Sequence, residues 1–258
     1  MSGLRFSANL AYLWADLPLA DGIRAAHRAG FAAVEIQWPE AADLAAAERA
    51  LQDTGLPMLG VNNTKGDLAA GEFGHAALPG RSDEARAAVE AALDLAARFG
   101  AGYVHVLAGI AGGAEARAAY VDALTHAASR AAEAGRVIVI EAINPHDVPG
   151  YFMADLAEAV AILREVGAPN LKLMFDCYHA SRLGHDVQER LGALLPLIHH
   201  VQIAGVPERG PPDRGSLDYR AVFATLQRLE WPGYVGAEYK PGPSTEGSLG
   251  WMQVLAPG

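Results

Sequence analysis

Short runs of apolar, β-prone residues recur along the chain at 4–10, 33–37, 58–62, 103–107, 137–141, 171–176, 199–203 and 234–238. Between them lie longer stretches in which apolar positions return every three to four residues, the period of an amphipathic helix. After Arg81, Ser82 is a suitable N-cap, and Asp83 and Glu84 occupy a first turn where the helix dipole favours negative charge. Ala85, Val89, Ala92 and Ala96 then fall on one face, and Gly100 supplies a stop. Leu156, Val160 and Leu163 repeat the pattern up to Gly167; 114–134 and 41–54 read the same way, and a last helix around 246–254 is short. Eight strand–helix alternations in 258 residues are the size of a (β/α)8 TIM barrel folded as one domain over 1–258. A doubly wound open sheet would carry a glycine fingerprint in its first βα turn, whereas here the first strand runs into Ala11-Tyr12-Leu13-Trp14.

Composition narrows the function more than the fold. Half the residues, 51%, are apolar and 19% are charged, which excludes disorder. The net charge of −10, with no run of Lys or Arg, argues against nucleic acid as the main partner. Apolar runs stop well short of the ~18 residues a membrane helix needs. The opening MSGLRFSANL has no basic region followed by an apolar core and a cleavage site, so a soluble, cytoplasmic protein is expected. Cys177 is the sole cysteine, so no intrachain disulfide can form.

In a barrel the chemistry sits at the C-terminal ends of the strands, where the βα loops converge. The last four predicted strands end in Glu141, Asp176, Gln202 and Glu238, spaced by 35, 26 and 36 residues, close to one βα unit each. Three carboxylates in an apolar mouth repel one another, and a divalent cation removes that conflict; hard oxygen ligands suit Mg²⁺ or Mn²⁺. Strand alternation puts Lys240 on the face of Glu238 and His200 on that of Gln202. His179 opens the loop after Asp176, and Arg209 lies in the Gly/Pro-rich loop after Gln202, from which it can act as an anion clamp. Cys177 reads as a small hydrophobe at a strand end rather than a nucleophile. The Gly109/Gly112/Gly113 loop lacks phosphate-loop spacing and reads as a turn.

These segments resemble the hydroxypyruvate isomerase family, a branch of the xylose-isomerase-like TIM barrels, over nearly the whole chain. The resemblance begins with LRFSANL at 4–10, GFAAVE at 30–35, GDLAAGE at 66–72 and PGR at 79–81. It is strongest in IEAINPHDVPGY at 140–151, NLKLMFDCYH at 170–179, HVQIAG at 200–205, RG at 209–210 and GYVGAEYKP at 233–241. It implies isomerisation of a small 2-oxo acid, hydroxypyruvate to 2-hydroxy-3-oxopropanoate, with Glu141 and Glu238 as the acid–base pair. It also implies that Glu141, Asp176, Gln202 and Glu238 surround a divalent metal. From their positions at the mouth, Lys240, Arg209 or both are expected to bind the substrate carboxylate, with His179 and His200 as further substrate-binding residues. Related ketose 3-epimerases commonly carry histidine where Gln202 stands, and glutamine is a weaker, neutral ligand. The chain departs from the family pattern at Ala142, Pro145, Gly205, Val206 and within 211–216, all beside the expected mouth. The same scaffold admits a 2-oxotetronate isomerase or a ketose 3-epimerase. A phosphodiesterase of the endonuclease IV type would want more strand-end histidines and a basic groove, and a non-catalytic sugar-acid-binding barrel would need no metal. A homo-oligomer is compatible with the sequence.

Overall fold

The structure is a computed structural model and describes residues 3–39 and 43–255. Its strands are β1 (Arg5–Asn9), β2 (Ala33–Ile36), β3 (Met58–Asn62), β4 (Tyr103–His105), β5 (Val137–Glu141), β6 (Leu171–Asp176), β7 (Ile198–Ile203) and β8 (Tyr234–Ala237). They are parallel and follow one another in the order β1 to β8 of a closed (β/α)8 barrel. The helices are α1 (Leu19–Arg28), α2 (Leu44–Thr54), α3 (Ser82–Phe99), α4 (Gly113–Glu133), α5 (Leu156–Val166), α6 (Cys177–Arg182), α7 (Val187–Leu194), α8 (Tyr219–Arg228) and α9 (Trp251–Val254). No helix among the described residues is long and apolar enough to cross a membrane.

The predicted strands match the observed ones to within two residues at either end. β4 stops at His105 and β8 at Ala237, each before the predicted end. Of the predicted helix over 41–54, residues 41 and 42 lie outside the described residues, and α2 starts at Leu44 behind the Asp43 cap, whose side chain accepts the Ala46 N–H. Asp155 caps α5 in the same way and Gly167 ends it in the left-handed region at φ 68°. The cap of α3 differs from expectation. Ser82 is the first helical residue and the N-cap position belongs to Arg81, which makes no side-chain cap bond. Arg81 instead donates to the carboxylates of Glu84 and Glu72, so an ion pair takes the place of the hydroxyl cap.

The chain packs as two compact units, Met1–Met58 with Phe175–Gly258, and Leu59–Met174. In the first, β1 is paired on both sides, with Asn9 opposite Glu35 on β2 and Ala8 opposite Ala237 on β8. On β7 and β8, Gln202 stands opposite Gly236. Phe6 of β1 meets Phe223 of α8 and Trp251 of α9 edge-on, at ring separations of 5.5 and 5.0 Å. The short last helix therefore seals the core beneath β1, burying an indole whose N–H is donated to the Tyr239 hydroxyl at 3.1 Å. In the second unit, Tyr103, Val139 and Met174 form a buried cluster against Leu59 and Val137. Gly60 makes room for it: a Cβ there would lie 1.9 Å from the Tyr103 ring.

Candidate active site

Glu238 immediately follows β8 and is buried. Both of its carboxylate oxygens are engaged: Oε1 accepts from Nη2 of Arg209 at 2.8 Å and Oε2 from Nδ2 of Asn9 at 2.8 Å. Asn9 is held in turn, its Oδ1 accepting the Ala11 N–H as β1 ends. Asp176 closes β6 and caps α6, its Oδ1 accepting the Tyr178 N–H at 2.7 Å. The capping bond fixes that oxygen and leaves Oδ2 to Arg209, whose Nη2 stands 3.3 Å away.

Arg209 is the hub of this cluster. It is buried, and its backbone lies in the left-handed region at φ 55°. Its guanidinium sits 4.9 Å from the centre of the Tyr12 ring and 5.1 Å from that of Tyr178, so aromatic faces supply part of the solvation the cation has lost. Nη1 lies 3.2 Å from Nε2 of His179. A guanidinium only donates, so His179 Nε2 accepts and its ring proton is on Nδ1. The loop carrying Arg209 is closed by backbone bonds, Gly205 N–H to Gly210 O and Lys240 N–H to Arg209 O, each 2.7 Å. Gly205 is required there, since a Cβ would fall 2.3 Å from the carbonyl oxygen of Arg214.

A third buried carboxylate, Glu35, lies in the same unit and is not among the residues expected from the sequence. Glu35 of β2 accepts from Ser7 Oγ at 3.0 Å on one oxygen, and from Gln202 Nε2 at 2.8 Å on the other, which also lies 3.0 Å from His200 Nε2. Burial pushes its pKa up, but the His200 charge and the hydrogen bonds from His200, Gln202 and Ser7 outweigh that and hold the carboxyl below the ordinary carboxylate range. His200 and Gln202 do share a face of β7, and both are turned to Glu35. The Oε1 atom of Gln202 is buried and has no hydrogen-bond partner among the described residues. Lys240 is exposed, because β8 ends at Ala237 before alternation could carry its side chain inward.

In the other unit Glu141 closes β5 and is buried, with Oε2 3.9 Å from Nε2 of His105 at the end of β4, a charge neighbour beyond hydrogen-bond length. The loops around it are tied by side chains: Asn63 Oδ1 accepts the Leu107 N–H and the Tyr151 hydroxyl accepts the Ala108 N–H, each 2.9 Å. Burial pushes the Tyr151 and Tyr120 hydroxyls up, so both stay protonated. The Gly109 carbonyl accepts the Phe152 N–H at 2.9 Å, which ties this loop to the one after β5. Glu141 here, and Asp176 and His179 of the first unit, are each buried side chains of a type that can ligate a metal ion.

Cys177 is fully buried, and burial with the adjacent Asp176 charge pushes its thiol well up. A thiol in that state is inert. The native protein is expected to leave Cys177 unmodified by N-ethylmaleimide over hours and to take up one equivalent after denaturation; rapid labelling of the native protein, read by intact mass, would refute this.

Residues 23–255 match the family model described as "Xylose isomerase-like TIM barrel". The chain belongs to that family. Within the xylose isomerase-like TIM barrels, a 2-oxo-tetronate isomerase from Cupriavidus necator is 41% identical over 96% of this chain and 97% of its own length. A hydroxypyruvate isomerase from Escherichia coli is 33% identical over 96% of this chain and 98% of its own. A crystal structure from Brucella melitensis, titled "AP endonuclease, family 2", superposes with a TM-score of 0.93 at 34% identity, covering 98% of this chain and 99% of that one. The chain is an isomerase, as its full-length family relatives are.

Glu35 escaped the sequence reading although the same rule would find it. It stands one residue before the end of β2, outside the last four strand ends on which the sequence expectation rests. Asn9, at the end of β1, and His105, at the end of β4, carry the same signal.

Proposed function

We propose that the chain interconverts a small 2-oxo acid and its aldehyde isomer, hydroxypyruvate and 2-hydroxy-3-oxopropanoate in the first instance, with Glu141 and Glu238 as the acid–base pair. The observation that carries this reading is the setting of Glu238: a buried carboxylate paired with the Arg209 guanidinium and oriented by Asn9 at a strand end. A base of this kind must be paired with a cation, aimed and shielded from water, and the two contacts together with burial meet those requirements.

In the forward direction one glutamate takes a proton from the hydroxymethyl carbon, C3. The C3–H electron pair becomes the C2–C3 double bond of an enediolate, and the ketone oxygen O2 takes the negative charge. A proton is then delivered to C2 while the O3 proton passes to O2, so that O3 becomes the aldehyde oxygen, O2 the C2 hydroxyl, and the formula is unchanged. Arg209 fits the substrate carboxylate best, because its planar fork is fixed between two rings and it is already desolvated. His179, with its proton on Nδ1, is held in one orientation by Arg209 and is available to the substrate oxygens.

The donor chemistry suits a divalent ion, Mg²⁺ or Mn²⁺: the carboxylates of Glu141 and Asp176 and the Oε1 atom of Gln202, which is buried with no hydrogen-bond partner among the described residues. When bound, such an ion supplies positive charge beside the two oxygens on which negative charge develops. The 41% identity to the Cupriavidus relative favours a second substrate, the four-carbon 2-oxotetronate, over a ketose. Cytoplasmic operation is part of the same proposal and fits a single buried thiol.

Steady-state rates of the purified protein, reconstituted with Mg²⁺ or Mn²⁺, test the substrate. Both 2-oxo acids should exceed every neutral ketose in kcat/KM. A ketose preferred over both acids would overturn the reading in favour of an epimerase.

A further inference from the structure

The Glu35 carboxylate has no place in the proton transfers, yet side chains from β1 and β7 converge on it in a buried site. We propose that Glu35 is a positioning residue: by accepting the Gln202 Nε2–H bond it fixes the amide so that Oε1 is presented to a divalent cation. The proposal rests on the reading of Gln202 as a metal ligand given above.

A glutamine amide has two orientations related by a half-turn about its last torsion, and strand geometry does not choose between them. Glu35 does. An ionised carboxylate only accepts, so at 2.8 Å only the nitrogen of Gln202 can face it; the flipped amide would bring two acceptor oxygens together. The carboxylate cannot swing aside to relieve the choice. Ser7 Oγ holds its other oxygen at 3.0 Å, and His200 Nε2 stands 3.0 Å from the oxygen that Gln202 also uses.

The remaining amide atom, Oε1, is then left buried with no partner among the described residues. Buried acceptors are seldom left unpaired, and a carbonyl oxygen held in a dry site is a ligand suited to a hard cation. The backbone is shaped around the same contact. Gly236 lies opposite Gln202 on β8, and a Cβ there would fall 2.1 Å from Glu35 Oε1 and 2.8 Å from His200 Nε2. The missing side chain is therefore the space the carboxylate occupies. The arrangement also accounts for a neutral ligand at 202, since a carboxylate in that position would face Glu35 with like charge.

A double-mutant cycle on cation affinity tests this, with Mn²⁺ as the probe and free Mn²⁺ followed by electron paramagnetic resonance. Wild type, Glu35→Gln, Gln202→Met and the double variant are titrated, and thermal melts are recorded alongside. Glu35→Gln should weaken Mn²⁺ binding by roughly 10-fold, the scale on which residues supporting a metal ligand act. Gln202→Met should weaken it at least as much, and the double variant should bind no more weakly than Gln202→Met alone. If Glu35 is only a buried structural charge, its replacement will cost the same factor in both backgrounds, and the proposal fails. It fails equally if Glu35→Gln binds Mn²⁺ as wild type does. Should Glu35→Gln not fold, Glu35→Asp keeps the charge, withdraws the acceptor by one methylene, and must show the same loss. Absence of Mn²⁺ binding by the wild type would remove the metal reading itself, and this proposal with it.

Discussion

Replacing Glu238 by glutamine is expected to lower turnover on the 2-oxo acid by ~10²–10⁴-fold while the protein remains folded. The amide keeps the volume and can still bond to Asn9, but it has no charge with which to take a proton from carbon. Arg209 retains Asp176 as a partner at 3.3 Å, so the buried cation is not abandoned and the melting temperature should change little. Glu141→Gln should show a loss of the same order, because the two carboxylates manage opposite ends of one proton transfer. Steady-state rates and thermal melts on the two variants check this. Near-wild-type turnover in either would remove that residue from the acid–base pair.

The second large effect is expected at Arg209. Arg209→Met removes the cation that pairs with both Glu238 and Asp176, and leaves two buried carboxylates without their neutralising partner. Breaking a buried pair from one side costs about 3–5 kcal/mol, so the melt should fall by several degrees. The kcat/KM for 2-oxo acids should fall by ~10²-fold or more, beyond the ~10-fold that each 1.4 kcal/mol of lost transition-state binding represents. Arg209→Lys should recover part of the stability and little of the rate, since an ammonium cannot reproduce a planar fork sandwiched between Tyr12 and Tyr178. Lys240→Met is the parallel comparison, measured on 2-oxo acids and neutral ketoses alike. A larger acid-specific loss at Lys240 than at Arg209 would move the carboxylate clamp to the exposed lysine.

The barrel was readable because its signal is local. Buried parallel strands are continuous apolar runs, and the helices announce themselves by period and by glycine stops such as Gly100 and Gly167. Strand ends also gave Glu141, Asp176, Gln202 and Glu238, since a polar residue closing an apolar run is visible in one dimension. What stayed hidden depends on approach between distant segments. Nothing near Arg209 in sequence indicates that Tyr12 will lie against it, nor that Asn9 will reach Glu238 across 229 residues. Alternation failed as a guide to Lys240 because β8 stops three residues earlier, at Ala237. The Ser82 cap was misplaced by one residue because an arginine ion pair can secure a helix start as well as a hydroxyl does.

The Brucella structure, 34% identical, is of a protein named as an AP endonuclease, and nuclease activity sets its own electrostatic demand. A protein that grips a phosphodiester backbone needs a basic surface to release counterions. This chain carries −10 overall, and no run of Lys or Arg supplies such a surface. A small anion that enters the site meets a prepared guanidinium, whereas a polyanion meets an acidic surface.

The fate of the migrating hydrogen tests the proton-transfer account most directly. Wild-type protein is incubated with hydroxypyruvate in D₂O, and the 2-hydroxy-3-oxopropanoate formed is examined by ¹H and ²H NMR before equilibrium is reached. Transfer through a glutamate predicts deuterium at C2 of the product, because the carboxylate can exchange its proton with solvent while the enediolate persists; Glu141→Gln and Glu238→Gln should form this product far more slowly. Product formed at full rate with C2 carrying only the hydrogen that left C3 would indicate a direct hydride shift and contradict the account.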